Sequence, residues 1–349
     1  MAIVVKQILD QLLSGQDLDA STMEDLFGAI MDGELDHAQV AGLLVALRAK
    51  GESGTEVAAA ARAMRARALR VAAPGGAIDT CGTGGDGAET INISTASAFV
   101  AAAGGVPVAK HGNRSVSSRC GSADVLEALG IRLDLDRGAL TEVLEDVGIA
   151  FLFAQQLHPT MAAVGPIRKT LGVRTIFNLL GPLTNPAGVR RQVLGVWGPE
   201  VQPLVAAALA ELGAVHALVL HSEDGLDELS VTAPTTVIEV RDGVVAETWS
   251  LNPADLGIRG DGPEALRGGD VAENARRLCA ILEGREQSAA SEAVALNAAA
   301  ALLVGGKPES LASGLEAARE ILTSGAAGRT LEALARRSKE LGRDGCVRA

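Results

Sequence analysis

Across residues 1–73 the apolar positions recur only at helical spacing. Ile3, Ile8, Leu9, Leu12 and Leu13 fall on one face. Ser21 and Glu24 have capping-box spacing ahead of Leu26 and Ile30. Asp36 is placed to cap a helix carrying Val40, Leu43, Leu44 and Leu47, which Gly51 stops. Ser53 with Glu56 opens another, predicted to run to about Val71. Pro74-Gly75-Gly76 then marks a boundary. The pattern predicts a small all-helical domain over 1–73 and a large α/β domain over 74–349.

From Ala77 the period changes. Short β-like runs at Ala77–Thr80, Val106–Lys110, Ile149–Phe153, Gln192–Trp197 and Val215–His221 alternate with helical stretches at 94–103, 121–129, 136–147 and 200–212. This βαβ rhythm predicts a mainly parallel central sheet with flanking helices and ligand loops at the strand C-ends. Residues 159–190 read as helical again, with Pro166, Pro182 and Pro186 breaking the pattern. Thr235–Arg241 and Val244–Leu251, joined at Asp242-Gly243, read as a hairpin. Stretches 270–284, 288–304, 310–323 and 327–342 read as Ala-rich helices on the sheet.

Composition narrows the class. The 349 residues are 48% hydrophobic but only 2% aromatic, with no Tyr, so Ala, Val, Leu and Gly must build the interior. A net charge of −12 argues against general nucleic-acid or anionic-membrane binding, both of which need a basic face. The four cysteines, Cys81, Cys120, Cys279 and Cys346, show no metal-site spacing and suit free thiols in a reducing cytoplasm. No signal peptide and no membrane-length apolar run is evident.

The chemistry concentrates between Asp79 and Ser122. Gly82, Gly84, Gly85 and Gly87 let backbone N–H groups approach an anion. Lys110, His111, Arg114, Ser115, Ser117 and Ser118 add charged and neutral donors. Between them Asn92, Ser94 and Thr95 open a helix whose N-terminus favours anions. Any one such loop is more often a plain turn; two flanking one βα unit point to a small, highly phosphorylated ligand. No Gly-Lys-Ser or Gly-Lys-Thr follows the glycines, so this is not a nucleoside-triphosphate P-loop. Asp86 and Glu89 crowd the phosphate side with negative charge, which argues against the dinucleotide fingerprint and suggests a metal or cationic neighbour. Asp227 and Glu228, adjacent carboxylates after a strand, could hold Mg²⁺, which favours carboxylate, water and phosphate oxygens.

Gly82-Thr-Gly-Gly-Asp, Asn92-Ile-Ser-Thr, Lys110-His-Gly-Asn-Arg-Ser-Val-Ser-Ser, His158-Pro-Thr-Met, the stretch from Arg168 to Pro186 and Asp224-Gly-Leu-Asp-Glu together resemble the motifs of the anthranilate phosphoribosyltransferase family, of tryptophan biosynthesis. The resemblance spans nearly the whole chain. It implies a nucleoside phosphorylase/phosphoribosyltransferase-like fold in which the 159–190 segment crosses back to join the small helical domain. It implies 5-phosphoribosyl 1-pyrophosphate (PRPP) as donor, anthranilate as acceptor, two Mg²⁺ ions per subunit and a homodimer formed through the helical domain. Carried over residue by residue, PRPP would be held by Gly82, Gly84, Gly85, Asp86, Thr90, Asn92, Ile93, Ser94, Thr95, Lys110, His111, Gly112, Asn113, Arg114, Ser115, Val116, Ser117, Ser118 and Ser122. Anthranilate would meet Gly82, Asn113, His158 and Arg168, with His111, Asn113 and Arg168 closest to the chemistry; Ser94, Asp227 and Glu228 would hold the metal. Cys81 departs from the pattern, standing where an aliphatic residue is expected.

Two rivals remain at this level. A pyrimidine nucleoside phosphorylase would lack the full Lys110–Ser118 run and the paired carboxylates. A nucleic-acid-binding relative that had lost activity should be basic, with degraded loops.

Overall fold

The computed structural model describes residues 3–114, 119–260 and 262–344; Ser115, Val116, Ser117, Ser118 and Cys346 lie outside the described residues. The chain opens with α1 (Val5–Leu13), α2 (Ala20–Asp32), α3 (His37–Lys50) and α4 (Gly54–Arg67). The Asp36 amide donates to Gln39 Oε1 at 3.1 Å, and the Ser53 amide to Glu56 Oε2 at 2.8 Å, closing the starts of α3 and α4. The start of α2 differs from expectation. Asp19, not Ser21, is the cap: its Oδ1 accepts from the Thr22 amide at 2.8 Å and from Ser21 Oγ at 2.7 Å. A carboxylate is the better acceptor at a helix N-terminus, and Ser21 falls inside the first turn. Helix α4 also stops earlier than Val71. Beyond Arg67 the backbone donors go elsewhere, Leu69 N to Leu157 O (2.9 Å) and Val71 N to Pro186 O (3.3 Å).

Seven strands follow: β1 (Ile78–Gly82), β2 (Val108–Gly112), β3 (Ile149–Phe153), β4 (Arg191–Gly195), β5 (His216–Ser222), β6 (Thr235–Arg241) and β7 (Val244–Leu251). Their order is β3-β2-β1-β4-β5-β6-β7. Strands β1 to β5 are parallel; β6 and β7 are antiparallel additions at one edge. Between them are α5 (Ile93–Ala103), α6 (Ser122–Ala128), α7 (Arg137–Val147), α8 (Ala154–Leu157), α9 (Met161–Leu171), α10 (Phe177–Leu183) and α11 (Gln202–Glu211). The chain ends in α12 (Val271–Leu282), α13 (Ala289–Val304), α14 (Leu311–Thr323) and α15 (Ala326–Asp344). Pro166 and Pro182 lie inside α9 and α10 instead of breaking them. Proline's φ is helical, and in such short helices it forfeits a single intrahelical bond.

Strand alternation sorts the interior into two cores. Val193, Leu218, Leu220 and Val237 face the core built with α5 and α12–α15. Their neighbours Leu194, Ala217, Val219 and Ile238 face the other, shared with α11, α4 and α10. That second core also takes in Phe27, Leu43 and Leu44 from the opening helices and Val164, Ile167 and Leu180 from α9–α10; Phe27 and Phe177 meet at 5.5 Å between ring centroids.

One seam in the sheet is unlike the rest. The β1–β4 and β2–β3 ladders each register five residue pairs, whereas β1 and β2 register only Ile78↔Val108 among the described residues. Side chains fill the opening. Asp79 Oδ1 accepts from the His111 amide (3.1 Å) and Oδ2 from Asn185 Nδ2 (2.8 Å); Asn185 Nδ2 also donates to Ala109 O (2.8 Å). Lys110 Nζ crosses the same gap to the Thr80 carbonyl. No helix among the described residues is long and apolar enough to cross a membrane.

Candidate active site

Strand order reverses between β1 and β4, so the crevice outside their C-terminal ends is where a ligand is expected. The glycine loop leaves β1 there, the basic loop leaves β2, and the acidic loop leaves β5. Gly84 N donates to Asp227 Oδ2 at 3.0 Å, joining the first loop to the third. A Cβ on Gly82 would collide with that carboxylate, so glycine is required for the approach.

The N-terminus of α5 completes the group. Ser94 N donates to Glu228 Oε1 at 3.1 Å, and Lys110 Nζ lies 3.4 Å from Ser94 Oγ. Lys110 is only 3% exposed, and burial lowers its pKa against the pull of Asp79, Glu228 and Asp227. Burial, then Asp86, pushes Asp227 up to about 7; burial, then Asp227, pushes Glu228 well above the carboxylate range. Burial raises Asp79 to about 6 despite Lys110. Two half-buried acids that repel one another are the environment a cation relieves. Asn297 on α13 fixes the acidic loop from beneath: its Oδ1 accepts from Leu229 N and its Nδ2 donates to Leu229 O, both at 2.9 Å.

A hydroxyl at Ser94 with carboxylates at Asp227 and Glu228 is a hard, all-oxygen donor set that suits Mg²⁺. No cluster of three or more His, Cys, Asp or Glu side chains among the described residues could enclose a metal alone.

The opposite side of β2 has a different character. His111 Nδ1 lies 3.1 Å from Gly181 O; a carbonyl only accepts, so the ring proton belongs on Nδ1 and Nε2 is a bare acceptor. The His158 ring bonds the Thr184 backbone, and its Nε2 is likewise buried without a partner. The two rings sit 5.1 Å apart. Burial holds His111 down to about 3 and His158 to about 4, so both are neutral at ordinary pH. Arg168 on α9 is half-buried over the Phe177 ring at 5.4 Å. Burial lowers its pKa.

The other expected residues are distributed as follows. Thr90 bridges to Arg267. Asn92 Nδ2 donates to Cys120 O at 3.1 Å, tying the start of α5 to the end of the basic loop. Ile93 and Thr95 are buried in the first turn of α5, where Thr95 Oγ1 has no partner. Gly112 packs against Phe151 and Ser122, and Ser122 Oγ donates to Asn113 O at 3.2 Å. Asn113 Oδ1 accepts from Arg114 N at 2.8 Å. Arg114 points at α6, paired with Asp124 at 2.8 Å and Glu127 at 2.9 Å, and these acids raise its pKa. Asp86 Oδ1 accepts from Ala88 N at 3.3 Å. Cys81 is buried toward the core and receives Gln192 Nε2 at 3.7 Å. Sequence reading gave no site role to Asp79, Asn185, Asn297 or Arg174. Recesses of about 420 Å³ beside α2 and α4 and about 610 Å³ near Arg70 and Thr141 lie away from this edge. Convergent polar groups, not volume, mark the site.

Known proteins show the same plan. Residues 6–68 match the helical bundle domain of a glycosyl transferase family and residues 74–328 its a/b domain. The anthranilate phosphoribosyltransferase of Thermomicrobium roseum is 51% identical over 337 residues, covering 95% of this chain and 96% of the relative. That of Roseiflexus sp. (strain RS-1) is 49% identical over 330 residues, covering 95% and 97%. The crystal structure of the Thermus thermophilus enzyme superposes with a TM-score of 0.91 at 45% identity, covering 95% of this chain and 99% of that one. The Saccharomyces cerevisiae enzyme in complex with PRPP and Mg superposes with a TM-score of 0.89 at 27% identity, covering 97% and 99%.

Proposed function

Since the chain belongs to the anthranilate phosphoribosyltransferase family, we propose a division of labour among its residues for the family's reaction. The protein transfers the phosphoribosyl group of PRPP to the amine of anthranilate, releasing pyrophosphate. The family match fits this activity and neither a nucleoside phosphorylase nor a nucleic-acid binder.

The donor lies along the glycine loop, the start of α5 and the basic loop. Gly82, Gly84, Gly85 and Asp86 line pyrophosphate and ribose; Thr90, Asn92, Ile93, Ser94, Thr95, Lys110, His111, Gly112, Asn113, Arg114, Ser115, Val116, Ser117, Ser118 and Ser122 take the remaining phosphate and sugar oxygens. Ser94, Asp227 and Glu228 hold Mg²⁺, two ions per subunit, which when bound neutralises charge on the leaving pyrophosphate. Arg168 offers a planar fork to the anthranilate carboxylate, with Asn113 and Gly82 beside it. His111 and His158 line the acceptor side as neutral rings, their Nε2 atoms buried and without a protein partner. As the C1–O bond to pyrophosphate breaks, the ring gains cationic, oxocarbenium-like character and the amine forms the new C1–N bond; the nitrogen then gives up its proton to water, and the pyrophosphate leaves with the electron pair of the broken bond. No strong base is needed, so catalysis is positioning and charge neutralisation.

We also place the working form as a homodimer through the opening helices, in the cytoplasm, where the free thiols Cys81, Cys120 and Cys279 suit a reducing medium. The observation that carries the reading is the Gly84–Asp227 bond, which brings glycine and acidic loops into one site. Anthranilate fluorescence should fall when the protein meets PRPP and Mg²⁺, and should hold steady once EDTA is added. Turnover only with thymidine and phosphate would overturn the assignment.

A further inference from the structure

The glycine loop is fastened at three points. Thr83 N donates to Gly195 O at 2.9 Å, and Trp197 N returns a bond to Thr83 Oγ1 at 3.2 Å, tying it to the segment after β4. Gly84 N meets Asp227 on the acidic loop. The third fastening comes from outside the sheet. Arg174, in the connection between α9 and α10, donates from Nη2 to Gly85 O at 2.6 Å. Its guanidinium lies 4.6 Å above the Trp197 ring. Gly85 has φ +79°, a conformation that favours glycine, and a Cβ there would press on the Arg174 guanidinium at 3.1 Å from Nη2.

The connection that carries Arg174 leaves the end of α9, where Arg168 sits, and runs into α10, where Phe177 lies under Arg168. Resting on the substrate assignment above, we propose that Arg174 is a positioning residue that couples the two substrates. It holds the Gly84–Asp86 backbone in the shape that receives pyrophosphate, and it links that shape to the placement of Arg168 on the acceptor side. Donor and acceptor then each favour the same arrangement of the α9–α10 connection, and by linkage each tightens the other's binding equally. A lysine keeps the charge but has neither the planar fork for stacking on Trp197 nor the same reach to Gly85 O.

The test uses the full-length protein and the variants Arg174→Ala and Arg174→Lys. Circular dichroism and thermal melting confirm folding first; should Arg174→Ala unfold, Arg174→Gln takes its place. Anthranilate affinity is measured by its fluorescence with and without Mg²⁺-pyrophosphate as a non-reacting donor mimic. Losing one charge-assisted bond and an exposed cation–π contact should raise KM for PRPP about tenfold. The gain in anthranilate affinity caused by the mimic should shrink toward unity in Arg174→Ala, with Arg174→Lys intermediate. Trp197 emission, read in a Trp249→Phe background, should respond to the mimic in the parent and not in Arg174→Ala. Unchanged KM and coupling in an active, folded Arg174→Ala would overturn the proposal, as would a loss of kcat alone. A wild-type protein that makes no product would instead strike at the substrate assignment.

Discussion

His111 and His158 are buried with one nitrogen satisfied and the other bare. Desolvation sets their titration, and that has a stability signature. An imidazole in an unfolded chain titrates near pH 6.5. Folded, His111 sits at about 3 and His158 at about 4. Between those limits the unfolded chain binds protons that the folded one refuses. Their contribution is therefore complete above about pH 6.5 and lost as pH falls through 4 toward 3. The slope is on the order of 1 kcal/mol per pH unit for each histidine. His158→Gln should flatten the fall of the urea midpoint between pH 7 and pH 4 relative to the parent; an identical slope would mean His158 titrates normally. Local pattern exposed these histidines only as members of motifs. It could not show Asp79, whose partners Asn185 and His111 are distant in sequence, nor rank Asp19 above Ser21 as a cap when both are small polar residues ahead of an apolar run.

Elements were legible where hydrophobic period and caps agreed, as in α3 and the five parallel strands. They were less so where tertiary bonds decide: α4 ends early because Leu69 and Val71 are claimed by Leu157 and Pro186, and the prolines of α9 and α10 are absorbed. The acidic loop shows what element-level reading leaves out. Its carboxylates announce themselves in sequence, yet Asn297, on a helix that otherwise reads as Ala-rich packing, fixes their place. Asn297→Ala strips both backbone groups of Leu229 of their partners, a cost of about 2–3 kcal/mol. It should also raise the Mg²⁺ concentration needed for half-maximal activity. Chemical denaturation and Mg²⁺ titration check the two halves; lost stability with unchanged Mg²⁺ dependence would separate the loop's place from the asparagine.

At the scale of the molecule, the second core joins the opening helices, the α9–α10 crossing and one face of the sheet. The helical part therefore has no private interior and should not melt separately. Phe27→Ala, which empties the contact with Phe177, should cost about 3–5 kcal/mol. Calorimetry should show one transition moved to lower temperature; a new, earlier shoulder would show an independent unit. Only the family likeness implies that crossing, because hydrophobic period says which faces are apolar and not which partner covers them. The sheet itself divides into two panels, β2–β3 on one side and β1–β4–β5 on the other, stitched between by Asp79, Asn185 and Lys110. The glycine loop rides on one panel and the basic loop on the other. The span between the two arms of the site is thus gauged by the size of a buried aspartate and a buried asparagine, and trimming either would retune its reach from below.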